Sequence, residues 1–301
     1  MASISVPRQG SMKSPSRFQI WRHKSYPVWL LMPTLLLLLL VQVYPTLYTF
    51  NLSLNKLKGG KLSFVGFNNF ARLFASTDFV SSLSNTAVFW FYYMALTVVL
   101  GMIVALLLNK RTRFTAVYTV IIFVPWILSD VVSATMWRWM FEQSYGIVQV
   151  LLNPLLNNVS ILSDDTGAMA VVILASVWRT LAFTSLLFLG ALQTVPNEVK
   201  EAASLDGASS WQSFWQVIIP IVRPTLLVTI LLTSIRAVNA LGLILATTNG
   251  GPGSATTTAS VLLYREAFQY GDFGVAAALA VILFLFNLGL TLVYFRLVKV
   301  D

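Results

Sequence analysis

The chain has no cysteine, a single histidine, and charged side chains at only 10% of its 301 positions. Without cysteine there is no disulfide, no thiolate metal ligand and no cysteine nucleophile. The histidine, His23, lies in a basic stretch ahead of any apolar run, where a solvated side chain is the ordinary outcome. So low a charge content excludes an ordinary soluble domain, which carries about 25% charged residues. Also missing are a Gly-x-x-x-x-Gly-Lys-Ser/Thr phosphate loop, a His-Glu-x-x-His run and a Gly-x-Ser-x-Gly run. Nucleotide hydrolysis and the common hydrolase chemistries therefore have no residues in this chain to rest on.

What is present is apolar: 57% of the residues, gathered into blocks. About 20 apolar residues span a bilayer as a helix, and an open chain in lipid must satisfy its backbone internally. The expectation is an all-α polytopic membrane protein with about six spans, near 28–50, 82–108, 115–139, 168–192, 224–247 and 273–298. An even count puts both termini on one side. Arg8, Lys13, Arg17, Arg22 and Lys24 precede the first span with no acid among them, and Lys110, Arg111 and Arg113 fill a short loop. This is the positive-inside pattern, so both termini are expected in the cytoplasm. The net charge of +9 is accordingly a membrane-topology signal and not a nucleic-acid face. The loop near 51–81, with Lys56, Lys58, Lys61 and Arg72, is an exception on the outer side. The first apolar run starts late and no Ala-x-Ala site follows it, so it reads as a retained helix and not a signal peptide. The resulting organisation is a basic cytoplasmic tail, 1–27, and one six-helix transmembrane domain, 28–301.

Between the fourth and fifth spans lies a polar, small-residue island, 193–223, on the cytoplasmic side. It contains Glu201-Ala-Ala-Ser-Leu-Asp206-Gly207-Ala208. Pro196 suits a first helical turn, and Glu198 sits near the positive end of that helix. Gly207 is a natural stop, because it takes the left-handed conformation that ends a helix. Ser209 and Gln212 have capping-box spacing, so a second helix can start at once. Pro220 and Pro224 are then expected to end it. Ala202, Ala203 and Ala208 keep the surface low, Phe214 and Trp215 offer apolar contact, and Glu201 and Asp206 can meet basic groups. Two short helices with a sharp turn form a handle for another molecule, which points to a partner-driven transporter; a plain solvated loop is the alternative.

Charges within spans cost about 2.5–3.5 kcal/mol each near the bilayer centre and need a reason. Asp130 lies in the third span, Arg179 in the fourth and Arg236 in the fifth. Three readings stand: a structural ion pair, contact with a solute, or charges near enough to an interface to snorkel. Asn239, Asn287, Gly242 and Gly289 are uncharged alternatives, with close helix packing a sufficient account of the glycines. Pro125 is expected to kink the third span. Trp137, Trp139 and Trp178 read as an interfacial aromatic belt, or as a platform for sugar stacking.

The run Glu-Ala-Ala, three residues, Gly, nine residues and an Ile-x-Leu-Pro-like end resembles the coupling motif of permease subunits of binding-protein-dependent ABC importers. The closing positions here, Val217, Ile219 and Pro220, are conservative departures. Phe64-Val-Gly-Phe-Asn-Asn-Phe70, Asn85-Thr86 and Asn249-Gly-Gly-Pro-Gly253 are similar to outer-loop segments of the carbohydrate, maltose-like group. The resemblance covers nearly everything after residue 28.

It implies a defined assembly in the bacterial cytoplasmic membrane. A second permease, usually a different chain, completes the path for a sugar or polyol. Two ATPase subunits hold the ATP, so this chain needs no cofactor or metal. A soluble binding protein delivers the substrate. Glu201, Ala202, Ala203, Asp206, Gly207, Ala208, Phe214 and Pro220 would form the ATPase-coupling surface, and Asp130, Arg179, Arg236 and Asn239 the candidate path. The rival readings are an ion-coupled secondary transporter, resting on Asp130 as its ion site, and a membrane-embedded enzyme.

Overall fold

A computed structural model of the chain describes residues 31–110, 113–156 and 159–297. The basic tail with Arg8, Lys13, Arg17, Arg22, His23 and Lys24, the tryptophans Trp21 and Trp29, Arg111, and Lys299 lie outside the described residues. The chain divides into two compact units, residues 1–51 and 52–301.

The first unit contributes most of helix α1, Leu31–Ser53, a leucine-rich run that ends within the second. Leucine is a strong helix former. One π-helical turn, Leu39–Val43, interrupts the α-helical winding just ahead of Pro45.

The second unit opens with a hairpin, β1 Asn55–Lys58 and β2 Lys61–Phe64, with Leu57 opposite Leu62. Gly59 and Gly60 close it, both at positive φ as a tight hairpin turn demands. This small antiparallel pair is an addition to the expected all-helical architecture. The helices that follow are α2 Asn68–Phe74, α3 Thr77–Asn109, α4 Thr115–Ile127, α5 Asp130–Met140, α6 Ile147–Leu156 and α7 Asp165–Gln193. Then come α8 Asn197–Leu205, α9 Ser210–Val238, α10 Gly242–Thr248, α11 Ala259–Tyr264 and α12 Phe273–Leu297.

Among the described residues, α1, α3, α7, α9 and α12 are each long and apolar enough to cross a membrane. Helices α4 and α5 pass the same test only as a pair, bent by 100° at the join, which brings the count to as many as six. The expected third span is therefore broken, not merely kinked. The break also misses the place where Pro125 would put it. Pro125 lies inside α4 and buried, while the helix stops at Leu128, whose backbone turns extended. Ser129 then caps α5, its side chain accepting from the Val132 N–H. A Ser-Asp pair offers a new helix start, with Asp130 in the favoured first turn, and that local signal decides where the span divides.

The fifth crossing departs from expectation in the opposite sense. Pro220 and Pro224 do not end a helix; α9 runs through both from Ser210 to Val238. A π-helical turn, Phe214–Ile218, precedes Pro220 just as Leu39–Val43 precedes Pro45. In each case the widened turn contains the residue four positions before the proline, Gln216 or Val41. The carbonyl of that residue is the one the proline ring would otherwise strike. The helix ends instead at Val238, and residues 239–241 separate it from α10.

Helix α7 is the most enclosed of the crossings. It lies alongside α3, running in the same direction. Tyr93 on α3 donates to Thr180 on α7 at 2.9 Å, and Gly101 faces Thr184 and Phe188 further along. Ala105 meets Phe188 and Leu192 further still. Gly101 is needed there, because a Cβ would sit 2.8 Å from the Thr184 Cγ2 atom.

Candidate functional site

The residues singled out in the sequence gather at two places: a handle between α7 and α9, and a cavity where the breaks in the third and fifth crossings meet.

The handle is built by local turn chemistry. Helix α8 starts after Pro196, which occupies the capping position one residue before the first turn, and carries Glu198 in that turn. It ends on Gly207 at φ +81°. There the Gly207 N–H donates to the Ser204 carbonyl and the Ala208 N–H to that of Ala203, the paired bonds of a left-handed glycine cap. Ser209 opens α9 with a complete capping box: its Oγ accepts from the Gln212 N–H, and the Gln212 Oε1 accepts from the Ser209 N–H. The turn between the helices is thus fixed by four hydrogen bonds within a few residues.

Of the small residues of the handle, Ala203 faces inward and is buried, Ala202 is exposed, and Ala208 is half-buried. Glu201 and Asp206 are exposed. Phe214 is half-buried beside Trp215, ring centroids 5.2 Å apart. Pro220 lies within α9, beyond the turn. Two bulky apolar residues missed in the sequence reading are the most exposed here: Leu205 at 88% and Trp211 at 70%. Trp211 packs edge-on against Trp215 at 5.5 Å. A leucine set immediately before an Asp-Gly helix stop is a signal that periodicity does not catch, since it belongs to neither helix face.

The second place is a cavity of about 530 Å³ between α3, α5, α7, α9 and the turn 239–241. It is lined by all four charged or amide residues proposed from the sequence: Asp130, Arg179, Arg236 and Asn239. Arg179 Nη1 is 2.8 Å from Asp130 Oδ1, with 24% of the arginine and 43% of the aspartate side chain exposed. Arg179 Nε also donates to the Leu128 carbonyl at 3.1 Å. Breaking the span left that carbonyl without its helical partner. One guanidinium from α7 therefore satisfies the last turn of α4 and the acid at the start of α5.

Gly242, at the start of α10, lies directly against Asp130; a Cβ there would come within 2.8 Å of Oδ2. Arg236 sits over the Phe183 ring, 4.9 Å from its centroid. Asn239 donates back to the Ile235 carbonyl at 2.7 Å, ending α9. Gly289, by contrast, has nothing within 4 Å of a notional Cβ, so close packing within this chain does not explain it. Irregular backbone at membrane depth is tolerated where it lines a cavity, and both breaks do.

The rings of Trp137 and Trp178 contact each other at 6.0 Å, and Trp137 packs against the main apolar core. Trp139 alone of the three is largely exposed.

The remaining motif residues hold loops. Asn69 donates to the carbonyls of Ser53 and Asn55, at 2.8 and 2.9 Å. Asn85 donates to the carbonyls of Ser254 and Thr257, and Thr86 Oγ1 accepts from the Ala259 N–H. The glycine-rich loop 249–253 starts with Asn249 at φ +51°, whose carbonyl accepts from Arg265 at 2.7 Å. No phosphate-binding lysine is near it in sequence; it is a turn clasped by an arginine.

Residues 97–299 match the family described as the binding-protein-dependent transport system inner membrane component. The chain is 32% identical over 270 residues to the trehalose/maltose transport system permease protein MalF of Thermococcus litoralis, spanning 89% of this chain and 91% of that one. It is 30% identical over 283 residues to the sn-glycerol-3-phosphate transport system permease protein UgpA of Pectobacterium atrosepticum, 93% of this chain and 96% of that one. It is also 30% identical over 276 residues to the sulfoquinovosyl glycerol transport system permease protein SmoG of Agrobacterium fabrum, 90% of each. The fold matches a chain of a bacterial alginate ABC transporter, solved with a periplasmic protein carrying an alginate pentasaccharide. The TM-score is 0.81 at 20% identity, over 94% of this chain and 98% of that one. The chain belongs to the inner-membrane components of binding-protein-dependent transport systems: it is a multi-pass permease subunit of an ABC importer, served by a solute-binding protein and without catalysis of its own.

Proposed function

We propose that this permease pairs with a second, different permease chain to form the translocation path for a carbohydrate or related polyol. Two ATP-binding cassette subunits drive it and hold the ATP. Each receives one handle of the kind built by α8 and the start of α9. The handle then lies on the cytoplasmic side with both termini, consistent with the basic residues ahead of the first span. The observation that carries the reading is the handle itself: a rigid two-helix turn with Leu205 and Trp211 bared beside Glu201 and Asp206. Exposed apolar anchors next to charge are what a protein partner buries. The carbohydrate assignment draws on the relatives, three of which are named for trehalose/maltose, sn-glycerol-3-phosphate and sulfoquinovosyl glycerol.

The test is affinity purification of the tagged chain from its native membrane in mild detergent. A second permease and an ATPase should come with it, and the ATPase should be lost when Gly207 and Glu201 are altered together. A chain that elutes alone, with uptake indifferent to ATP, would return the choice to an ion-coupled transporter working through Asp130.

A further inference from the structure

The cavity between α3, α5, α7 and α9 holds two guanidiniums, Arg179 and Arg236, against one carboxylate, Asp130. Arg179 is taken up by Asp130 and by the Leu128 carbonyl. Arg236 is not: among the described residues it makes no ion pair, and its one described side-chain contact is the face of Phe183. It is exposed, lines the cavity and sits in the last turn of α9.

The charge left over is one-sided. Arg179 engages Oδ1 of the cavity's single carboxylate, and no second acid among the lining residues balances Arg236. Beside its fork lie a second N–H of Asn239, whose Oδ1 faces Asn287 at 3.5 Å, and the Thr180 hydroxyl, whose Oγ1 accepts from Tyr93. Donors converging around an unpaired guanidinium match an oxyanion, which arginine binds in two-pronged geometry.

We infer that this cavity recognises an anionic group, so that the cargo of this importer is a carbohydrate or polyol carrying a carboxylate, phosphate or sulfonate, with Arg236 as the residue that selects it. The inference rests on the permease reading above. Phe183 lies against the guanidinium, its ring centroid 4.9 Å from the Arg236 Cζ atom.

The absence of cysteine from this chain gives a direct test in a complex whose partner chains are also freed of cysteine. In the solubilised importer complex carrying Asn239→Cys, the rate of thiol modification is compared for an anionic reagent, sulfonatoethyl methanethiosulfonate, and a cationic one, trimethylammonioethyl methanethiosulfonate. Each rate is normalised to that of a free thiol. A positive cavity lowers the thiol pKa equally for both reagents, so their ratio reports the local potential alone. The expected ratio favours the anion by roughly tenfold, since the two reagents feel a short-range charge with opposite sign. Adding Arg236→Gln should bring it close to one.

A ratio near one with Arg236 present, or a preference that Arg236→Gln leaves intact, overturns the inference. The first result would mean that an acid of the partner permease neutralises Arg236. The small molecule carried by the importer's own binding protein, identified by mass spectrometry, is the second readout: an anionic carbohydrate agrees and an uncharged sugar refutes. Co-purification of the ATPase with the same variant reports separately on the permease reading.

Discussion

Gly242 and Gly289 both lie in apolar helices near the end of the chain, yet a methyl group added to each meets different surroundings. At 242 it would press on the Asp130 carboxylate that Arg179 holds in place. Gly242→Ala should therefore loosen the Asp130–Arg179 pair and cost about 1–2 kcal/mol, the usual size of an overpacked contact. Gly289→Ala meets open space and should gain about 0.5–1 kcal/mol of helix stability. Thermal unfolding of the two variants in the same detergent checks the contrast; equal shifts would count against the tight contact at Gly242.

Glu266 poses a different question at the same scale. Burial, reinforced by the like charge of Asp272 nearby and opposed by Arg72, holds its carboxyl above the ordinary glutamate range. The folded state then binds this proton more tightly than the unfolded one, so the charged form costs stability at neutral pH. That cost fades as the pH falls through the raised folded value towards the unfolded one. Glu266→Gln should raise the melting midpoint at pH 7, with the gain shrinking as the pH is lowered toward 4. A gain that grows on acidification would reverse the assigned sign.

Among the elements, the handle was legible because everything that shapes it is local. A glycine that must turn left-handed, a Ser-x-x-Gln box and an acid near a helix start all act within four residues of sequence. Gly207→Ala, with free space around it, should cost only the backbone strain of about 1 kcal/mol, and Gly207→Asn less, since asparagine tolerates that conformation. ATPase co-purification should follow the same order. Ser209→Ala should cost a further ~1 kcal/mol through the lost cap.

The broken third crossing was not legible in the same way. Pro125 was the loudest local signal, but the division came at Leu128 and Ser129, where a new helix start and an arginine 51 residues away settle the exposed backbone. Such a partner is invisible until the fold exists. That Asp130 and an arginine would meet could be anticipated from the cost of charge in a membrane. That the arginine would also hold a carbonyl, fastening α4 and α5 to α7, could not. Asp130→Asn should weaken this clamp by about 1.5–3 kcal/mol, the range for a hydrogen bond to a charged group. In a double-mutant cycle with Arg179→Gln, the combined cost should fall short of the sum, the second change removing only the bond to the Leu128 carbonyl; full additivity would mean the two act independently.

Across the whole molecule, the helical class and a count of five to six crossings followed from the apolar blocks, because only helices keep backbone satisfied in lipid. The hairpin at 55–64 escaped notice because its strands are four residues long and β2 is exposed throughout, with no buried face to set a pattern. The motif asparagines tie segments distant in sequence, as Asn85 does with Thr257. At this scale the exposed handle makes its own prediction. Leu205→Ser with Trp211→Gln should leave the melting midpoint of the isolated chain unchanged while abolishing recovery of the ATPase with it. A lowered midpoint with the ATPase retained would assign those side chains to internal packing instead.

Helix α9 begins at the handle and ends beside the cavity, so one unbroken rod joins Trp211 to Arg236. At about 1.5 Å per residue, those two side chains are separated by roughly 38 Å along its axis. The wide turn at Phe214–Ile218 and the prolines at 220 and 224 place its compliant section next to the handle, while the long arm beyond carries an ordinary helical backbone. The rod is therefore a lever. Swinging the arm beyond Pro224, about 18 Å long, by roughly 10° carries the Arg236 guanidinium through roughly 3 Å, as far as a whole hydrogen bond is long. A swing of that size would withdraw the cation from whatever it holds.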